Sequence, residues 1–269
     1  TDSLVKLTCE AQRIVRQVDP AARIVGPAYT GEGNVPKLEN FLASGGAKCI
    51  DIVAYHLYVT LSPPEAVVPL VAKIRQAMQR QDVDSKPLWN TEAGWRIENT
   101  DGTPENIVPD YWVRVRNDES AAYVARALLL ASAGGVERFY WYAWDNRAMG
   151  LIEPKSGHIK PGGRAIGVVA KWMVGGATPR CGQIGKVWAC ELSAPEGRRR
   201  VVAWSVEGRA AYAVPAGWQV AKSERADGTL GGPETGAVAS VNEAPRLLVL
   251  TARRQGGTER MPAPHAVSP

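Results

Sequence analysis

The stretch KPLWNTEAGW, Lys86 to Trp95, decides how the chain is read. Its first half is short, apolar and β-prone; its second half sets a carboxylate, Glu92, between Trp89 and Trp95. Strands of a parallel sheet run out into turn residues, so an acid there either caps the following loop by accepting N–H groups or takes part in chemistry.

The segments around it alternate. Leu4, Leu7, Ala11, Ile14, Val15 and Val18 recur at helical spacing, and Asp19-Pro20 closes that helix. ARIVGPA (Ala22 to Ala28) reads as a strand, VPKLENFLASGG as a helix stopped by Gly45 and Gly46, and DIVAYHLYV (Asp51 to Val59) as a second strand. The helix PPEAVVPLVAKIRQAMQRQ leads into the opening stretch, the third strand. A long loop, Arg96 to Asn117, follows; loops of that length are often functional. Then come the helix ESAAYVARALLLASAGG, the strand VERFYWYAWD and the helix RAIGVVAKWMVGG. Strict strand-helix alternation predicts a parallel sheet covered by helices. From about Ala177 the texture changes to short strands, KVWACELS, RRVVAWSVEG, AAYAVPAG and PRLLVLTA, punctuated by glycine and proline. The expected layout is an α/β region over 1–176, an antiparallel β domain over 177–252 and a flexible tail over 253–269.

With 45% hydrophobic and 22% charged residues in 269, the composition is that of a globular protein with a sizeable core. The formal charge of +5 comes from scattered basic residues, and the one dense run, Arg198 to Arg200, reads as a solvated turn. Basic clusters interleaved with aromatics are missing, so no nucleic-acid partner is expected. No apolar run reaches the ~18 residues of a membrane span. The cysteines, Cys9, Cys49, Cys181 and Cys190, lack metal-ligand spacing. Cys181 and Cys190 flank a hairpin-like segment and either form a disulfide, which would fit a periplasmic or secreted protein, or stay as buried free thiols. No signal peptide is visible, so any export signal is expected outside this sequence. Gly-rich phosphate loops, GxSxG and HExxH are all missing, which argues against a nucleotide enzyme, a common serine hydrolase and a zinc protease.

In parallel α/β folds chemistry gathers at the carboxyl ends of the strands. Those ends carry His56 and Tyr58, then Asn90 and Glu92, then Trp141, Trp144 and Asp145. Aromatic faces stack on sugar rings while carboxylates and amides bind hydroxyls, a mixture that suits a carbohydrate. Alternation along the strand turns Trp141 to the core side, and His158 and His265 read as surface residues.

On these residues the chain resembles the clan A glycoside hydrolases, retaining (β/α)8-barrel enzymes. PLWNTEAGW looks like their seventh strand, DIVAYHLY their sixth, YWYAWD their eighth, and GHIKPGGRAIGVVAKWMVGG their closing helix. A β domain after the barrel is similar to family 39 and its neighbours, with family 5 as another relative. The resemblance implies a TIM-barrel-type α/β fold of which the last four strand-helix units are evident, followed by a small antiparallel β-sandwich. It implies Glu92 as the nucleophile of double displacement on a β-linked glycoside, with His56, Tyr58, Asn90, Trp95, Trp144 and Asp145 around the sugar. It implies no cofactor and no metal.

Retaining enzymes need a second carboxyl as acid and base. In the clan this glutamate ends the fourth strand, and the first helix here, ending in QVDPAARIVGPA, resembles the one that follows that strand. The expectation is therefore that the acid/base and the first four strands lie outside this sequence, and that a homodimer or a second chain completes the barrel. A half barrel standing alone, its interior covered by loops, is the other arrangement. Glu32 and Glu98 are the nearby acids that could substitute. The rival reading is a carbohydrate-binding or structural protein that kept the aromatic site without turnover.

Overall fold

The computed structural model describes residues 1–253, so the expected tail from 254 onward, with His265, lies outside the described residues. Five helices, α1 (Asp2–Val18), α2 (Val35–Ala43), α3 (Val67–Arg80), α4 (Ser120–Ala133) and α5 (Pro161–Met173), belong to the α/β part. Its parallel sheet is built from β1 (Tyr29–Thr30), β2 (Val53–His56), β3 (Leu88–Ala93) and β6 (Val136–Trp141) in the order β1-β2-β3-β6. Each strand joins beside the one before it in the chain and the order never turns back. A doubly wound sheet reverses at a switch point, and among the described strands this one does not. Between β3 and β6, β4 (Arg96–Ile97) and β5 (Arg114–Val115) pair with each other inside the long loop.

The helices form where apolar residues recur at helical spacing. In α3, Val67, Leu70, Val71, Ile74, Ala77 and Met78 are buried, and they face Val53, Tyr55 and Leu57 of the sheet side in one core. The helix α4 is buried on nearly all sides, because it packs against α3, α5 and β6 together. α1 differs: Thr8 alone is buried, while Leu7, Ile14 and Val18 stand 68%, 47% and 84% exposed along one stripe. A disulfide between Cys9 and Cys49 holds this helix to the turn before β2. Their separation of 40 residues carries no hint of the bond. Among the described residues no helix is long and apolar enough to cross a membrane.

The first expected strand, Ala22 to Ala28, is corrected. It makes a single bridge, Val25 to Ile52, and the two-residue β1 comes later. Pro27 has no N–H to give to a ladder, so pairing stops at Gly26-Pro27 and resumes at Tyr29.

After α5 the chain turns antiparallel. The strands are β7 (Arg180–Ile184), β8 (Val187–Leu192), β9 (Arg198–Ser205), β10 (Ala210–Ala213), β11 (Trp218–Arg225), β12 (Leu230–Gly231), β13 (Val238–Val241) and β14 (Arg246–Ala252). Six form one sheet, β12-β11-β14-β9-β8-β7, and β10 pairs with β13. Val201, Ala203, Leu248 and Leu250 of the larger sheet share a small core with Ala239 and Val241 of the smaller. Cys181 and Cys190 are register partners across β7 and β8 and are disulfide-bonded, so the free-thiol alternative does not hold. Arg198 to Arg200 open β9 instead of forming a turn. Glu191 on β8 takes the Arg199 guanidinium and Arg200 donates to the Trp172 carbonyl at 2.9 Å, while Arg198 stays exposed, so the run is solvated in part but belongs to a strand.

The two parts share one core: Leu192, Val202, Trp204 and Val249 pack in the same cluster as Leu130, Val169 and Trp172. Two of its indoles are paired with carboxylates. Trp204 Nε1 donates to Glu65 Oε1 at 2.8 Å, and Glu65 also accepts from Arg126, 3.2 Å away. Trp172 Nε1 donates to Glu224 at 2.8 Å. A carboxylate and two indoles can be buried at such a seam because each finds a partner there.

Candidate active site at the end of the parallel sheet

The register of β3 creates the site. Tyr55 pairs with Asn90, but His56 pairs with Glu92, because a bulge leaves Thr91 without an opposite number. Regular alternation would turn residues 90 and 92 to the same face. The bulge separates them. Asn90 is 1% exposed, accepts from Leu57 N at 3.0 Å and donates to the Tyr140 carbonyl at 3.0 Å. Glu92 turns outward beside His56, with 36% of its side chain exposed.

Two groups contact the Glu92 carboxylate. The Tyr58 hydroxyl donates to Oε2 at 3.1 Å, and His56 Nδ1 lies 3.5 Å from the same oxygen. Burial pushes the Tyr58 hydroxyl well above the ordinary phenol value, and the neighbouring Glu92 charge pushes it further, so Tyr58 keeps its proton and remains a donor. The His56 and Tyr58 rings meet edge to face with centroids 6.2 Å apart.

A wall of aromatics surrounds this group. Trp112, from the long loop, tilts over Tyr58 with centroids 6.2 Å apart. Tyr142, just past β6, donates its backbone N–H to Ala93 at 2.8 Å and is 41% exposed. Its carbonyl comes so close to Gly94 that a Cβ there would sit 2.5 Å from the oxygen, which restricts the position to glycine. The peptide bond between Tyr142 and Ala143 is cis.

The long loop is tied down. Val113 N donates to the Thr60 carbonyl at 2.8 Å, and Arg114 bonds Glu105 at 2.8 Å. Burial would raise the Glu105 carboxyl, but Arg114 and the Asn99 N–H outweigh it and hold it below its ordinary value. Lys160, 1% exposed, donates to Asn99 Oδ1 at 2.6 Å and fastens the loop to the approach of α5. These bonds fix where Trp112 stands.

The structure brings His56, Tyr58 and Glu92 together. Two of the expected pocket residues are corrected. Asn90 is turned inward by the bulge. Trp95 is 0% exposed, with Nε1 on the Ser62 carbonyl at 2.8 Å and its ring against Tyr123 and Trp141, so it belongs to the core. Trp144 is 51% exposed and Asp145 is exposed, and among the described contacts neither side chain touches Glu92. Trp141 bonds the Met149 carbonyl from the core side of its strand. Of the two nearby acids, Glu32 pairs with Lys73, and Glu98 bonds Arg114 and the Asn117 N–H. Trp112 and Tyr142 were not singled out by sequence. An aromatic inside a long loop, and the alternation of YWYAW, were the available signals. Among the described residues no group of three or more His, Cys, Asp or Glu is placed to hold a metal ion.

No protein-family model and no curated protein matches the chain. Solved structures do. A family 39 glycoside hydrolase from the gut symbiont Bacteroides cellulosilyticus WH2 superposes with a TM-score of 0.68 at 18% identity, over 93% of this chain and 55% of its own. A glucosidase from Croceicoccus marinus gives 0.60 at 16%, over 94% and 65%. An alpha-L-arabinofuranosidase from Thermotoga maritima gives 0.62 at 11%, over 94% and 62%. The chain thus has the fold of these glycoside hydrolases, an α/β part followed by an antiparallel sheet, and spans 55 to 65% of their lengths. Because a glucosidase and an arabinofuranosidase share that fold, the fold does not choose the sugar.

Proposed function

We propose that the chain is the nucleophile-bearing part of a retaining glycoside hydrolase of clan A type, acting on a β-linked glycoside. The observation that carries this reading is the outward-turned Glu92 at the carboxyl end of a central parallel strand, gripped by Tyr58 beside His56 within an aromatic rim. Glu92 attacks the anomeric carbon as the bond to the leaving oxygen breaks, giving a glycosyl-enzyme that water hydrolyses. Tyr58 holds one carboxylate oxygen and leaves the other to react. His56 binds a sugar hydroxyl, Trp144, Trp112 and Tyr142 offer stacking faces, and Asp145 lies at the pocket edge.

The route requires a second carboxyl about 5 Å away. In this reading the acid/base is supplied by further strands that close the barrel, from elsewhere in the protein, a second copy or a second chain. The two disulfides suit an oxidising compartment, periplasmic or extracellular.

An aryl glycoside with a good leaving group needs little acid assistance, so a panel of nitrophenyl glycosides should reveal turnover that Glu92→Gln removes. Full turnover in that variant would refute Glu92 as nucleophile. The exposed aromatic faces of Trp144 and Tyr142 also suit one alternative, a carbohydrate-binding protein without turnover. Saturable sugar binding in a protein inert towards every aryl glycoside would decide for it.

A further inference from the structure

Away from the Glu92 group, the antiparallel part holds a cavity. It has a volume of about 420 Å3, and the charged residues lining it are all arginines, Arg209, Arg225 and Arg246. Ser223, Ser240 and Asn242 add polar atoms to its wall.

Strand register puts these cations together. Arg225 ends β11 and Arg246 begins β14, and the two are direct cross-strand partners, so their side chains leave the same face side by side. Like charges in that relation are destabilising unless something neutralises them. Arg246 is fixed: it donates to Ser223 Oγ at 2.7 Å and to the Ser240 carbonyl at 3.3 Å, and it pairs with Glu234. Glu234 neutralises one charge. Arg225 and Arg209, which precedes β10, have no acid within ion-pair distance among the described residues. One anchored guanidinium and two unneutralised ones therefore converge on a cavity with hydroxyl and amide walls.

We infer that this cavity between β11, β13 and β14 is a binding site for an oxyanion, the carboxylate or sulfate group of a small ligand or of an acidic saccharide. Guanidinium forks match the paired oxygens of such groups, and the serine and asparagine side chains suit the hydroxyls next to them. The site lies in the antiparallel part and is independent of the Glu92 reading.

The test is titration of the purified chain with glucuronate, inorganic sulfate and glucose, followed by calorimetry and by 15N–1H shifts. Saturable binding of glucuronate and sulfate without glucose is the expected result, with shifts at Ser223, Ser240 and Asn242. Tighter binding of glucuronate would identify an acidic sugar as the source of the anion; equal or tighter binding of sulfate would identify a free oxyanion. Arg225→Gln and Arg209→Gln should each weaken binding about tenfold or more, since a hydrogen bond to a charged group is lost. Arg225→Gln relieves like-charge repulsion, so the free protein should melt no lower than wild type. Arg209 lies outside every strand, which keeps the binding test valid should Arg225→Gln fold poorly. Absence of saturable binding by either anion, or affinity unchanged in Arg209→Gln, would overturn the site.

Discussion

On the helix-covered side of the parallel sheet polar groups are spent on structure, whereas at its carboxyl-terminal rim they are left available. Asn90 and Glu92 show the contrast two residues apart. The amide of Asn90 bonds the backbone on both neighbouring strands. The carboxylate of Glu92 takes a single hydroxyl and keeps an exposed face. Burial with satisfied bonds gives stability; exposure with few bonds leaves a group free to meet a ligand, and one bulge divides the two.

Substitutions on each side can break that contrast. The largest loss of stability is expected from Trp95→Ala, which empties a fully buried site and removes the Ser62 bond; about 3–5 kcal/mol should vanish in urea unfolding. A loss below about 1 kcal/mol would mean Trp95 is not core. Replacing Cys9 and Cys49 together by serine should cost about 2–4 kcal/mol and loosen α1 first, read as faster amide exchange in Asp2–Val18. Asn90→Leu leaves the Leu57 N–H and the Tyr140 carbonyl unpaired, for about 1–3 kcal/mol. At the rim the pattern inverts. Trp144→Ala should shift stability by less than about 0.5 kcal/mol yet weaken sugar binding, measured by titration; an unfolded variant would show that the rim is structural after all.

A further contrast is a pH dependence. Burial raises the Tyr55 hydroxyl to about 12, above its ordinary value of 10.0. A raised value means that stability is fully present below the unfolded-state value and is lost as pH climbs through the folded one. Unfolding free energy should therefore hold below pH 10.0 and fall between there and about 12, and Tyr55→Phe should flatten that fall.

The alternation of strands and helices was legible because helical periodicity and the glycine-proline punctuation are local signals. So was the position of Glu92 at the end of its strand. What escaped depends on partners distant in sequence. A bulge leaves no mark in a run such as PLWNTEAGW, so Asn90 looked equivalent to Glu92. Trp95 follows Glu92 closely but points elsewhere, which only the packing of Tyr123 and Trp141 decides. β11, WQVAKSER, lacks an apolar run and acquires its place by pairing with β14. Cys9 meets Cys49 across 40 residues with no periodic clue.

Glu65 sits where the two parts meet, holding Arg126 from one and Trp204 from the other. Anyone trimming the gene to the α/β part by cutting near Ala177 would strip that carboxylate of its indole and bare Trp172. The antiparallel part is thus a buttress rather than a passenger, and its removal or exchange in a chimera should be planned around Glu65.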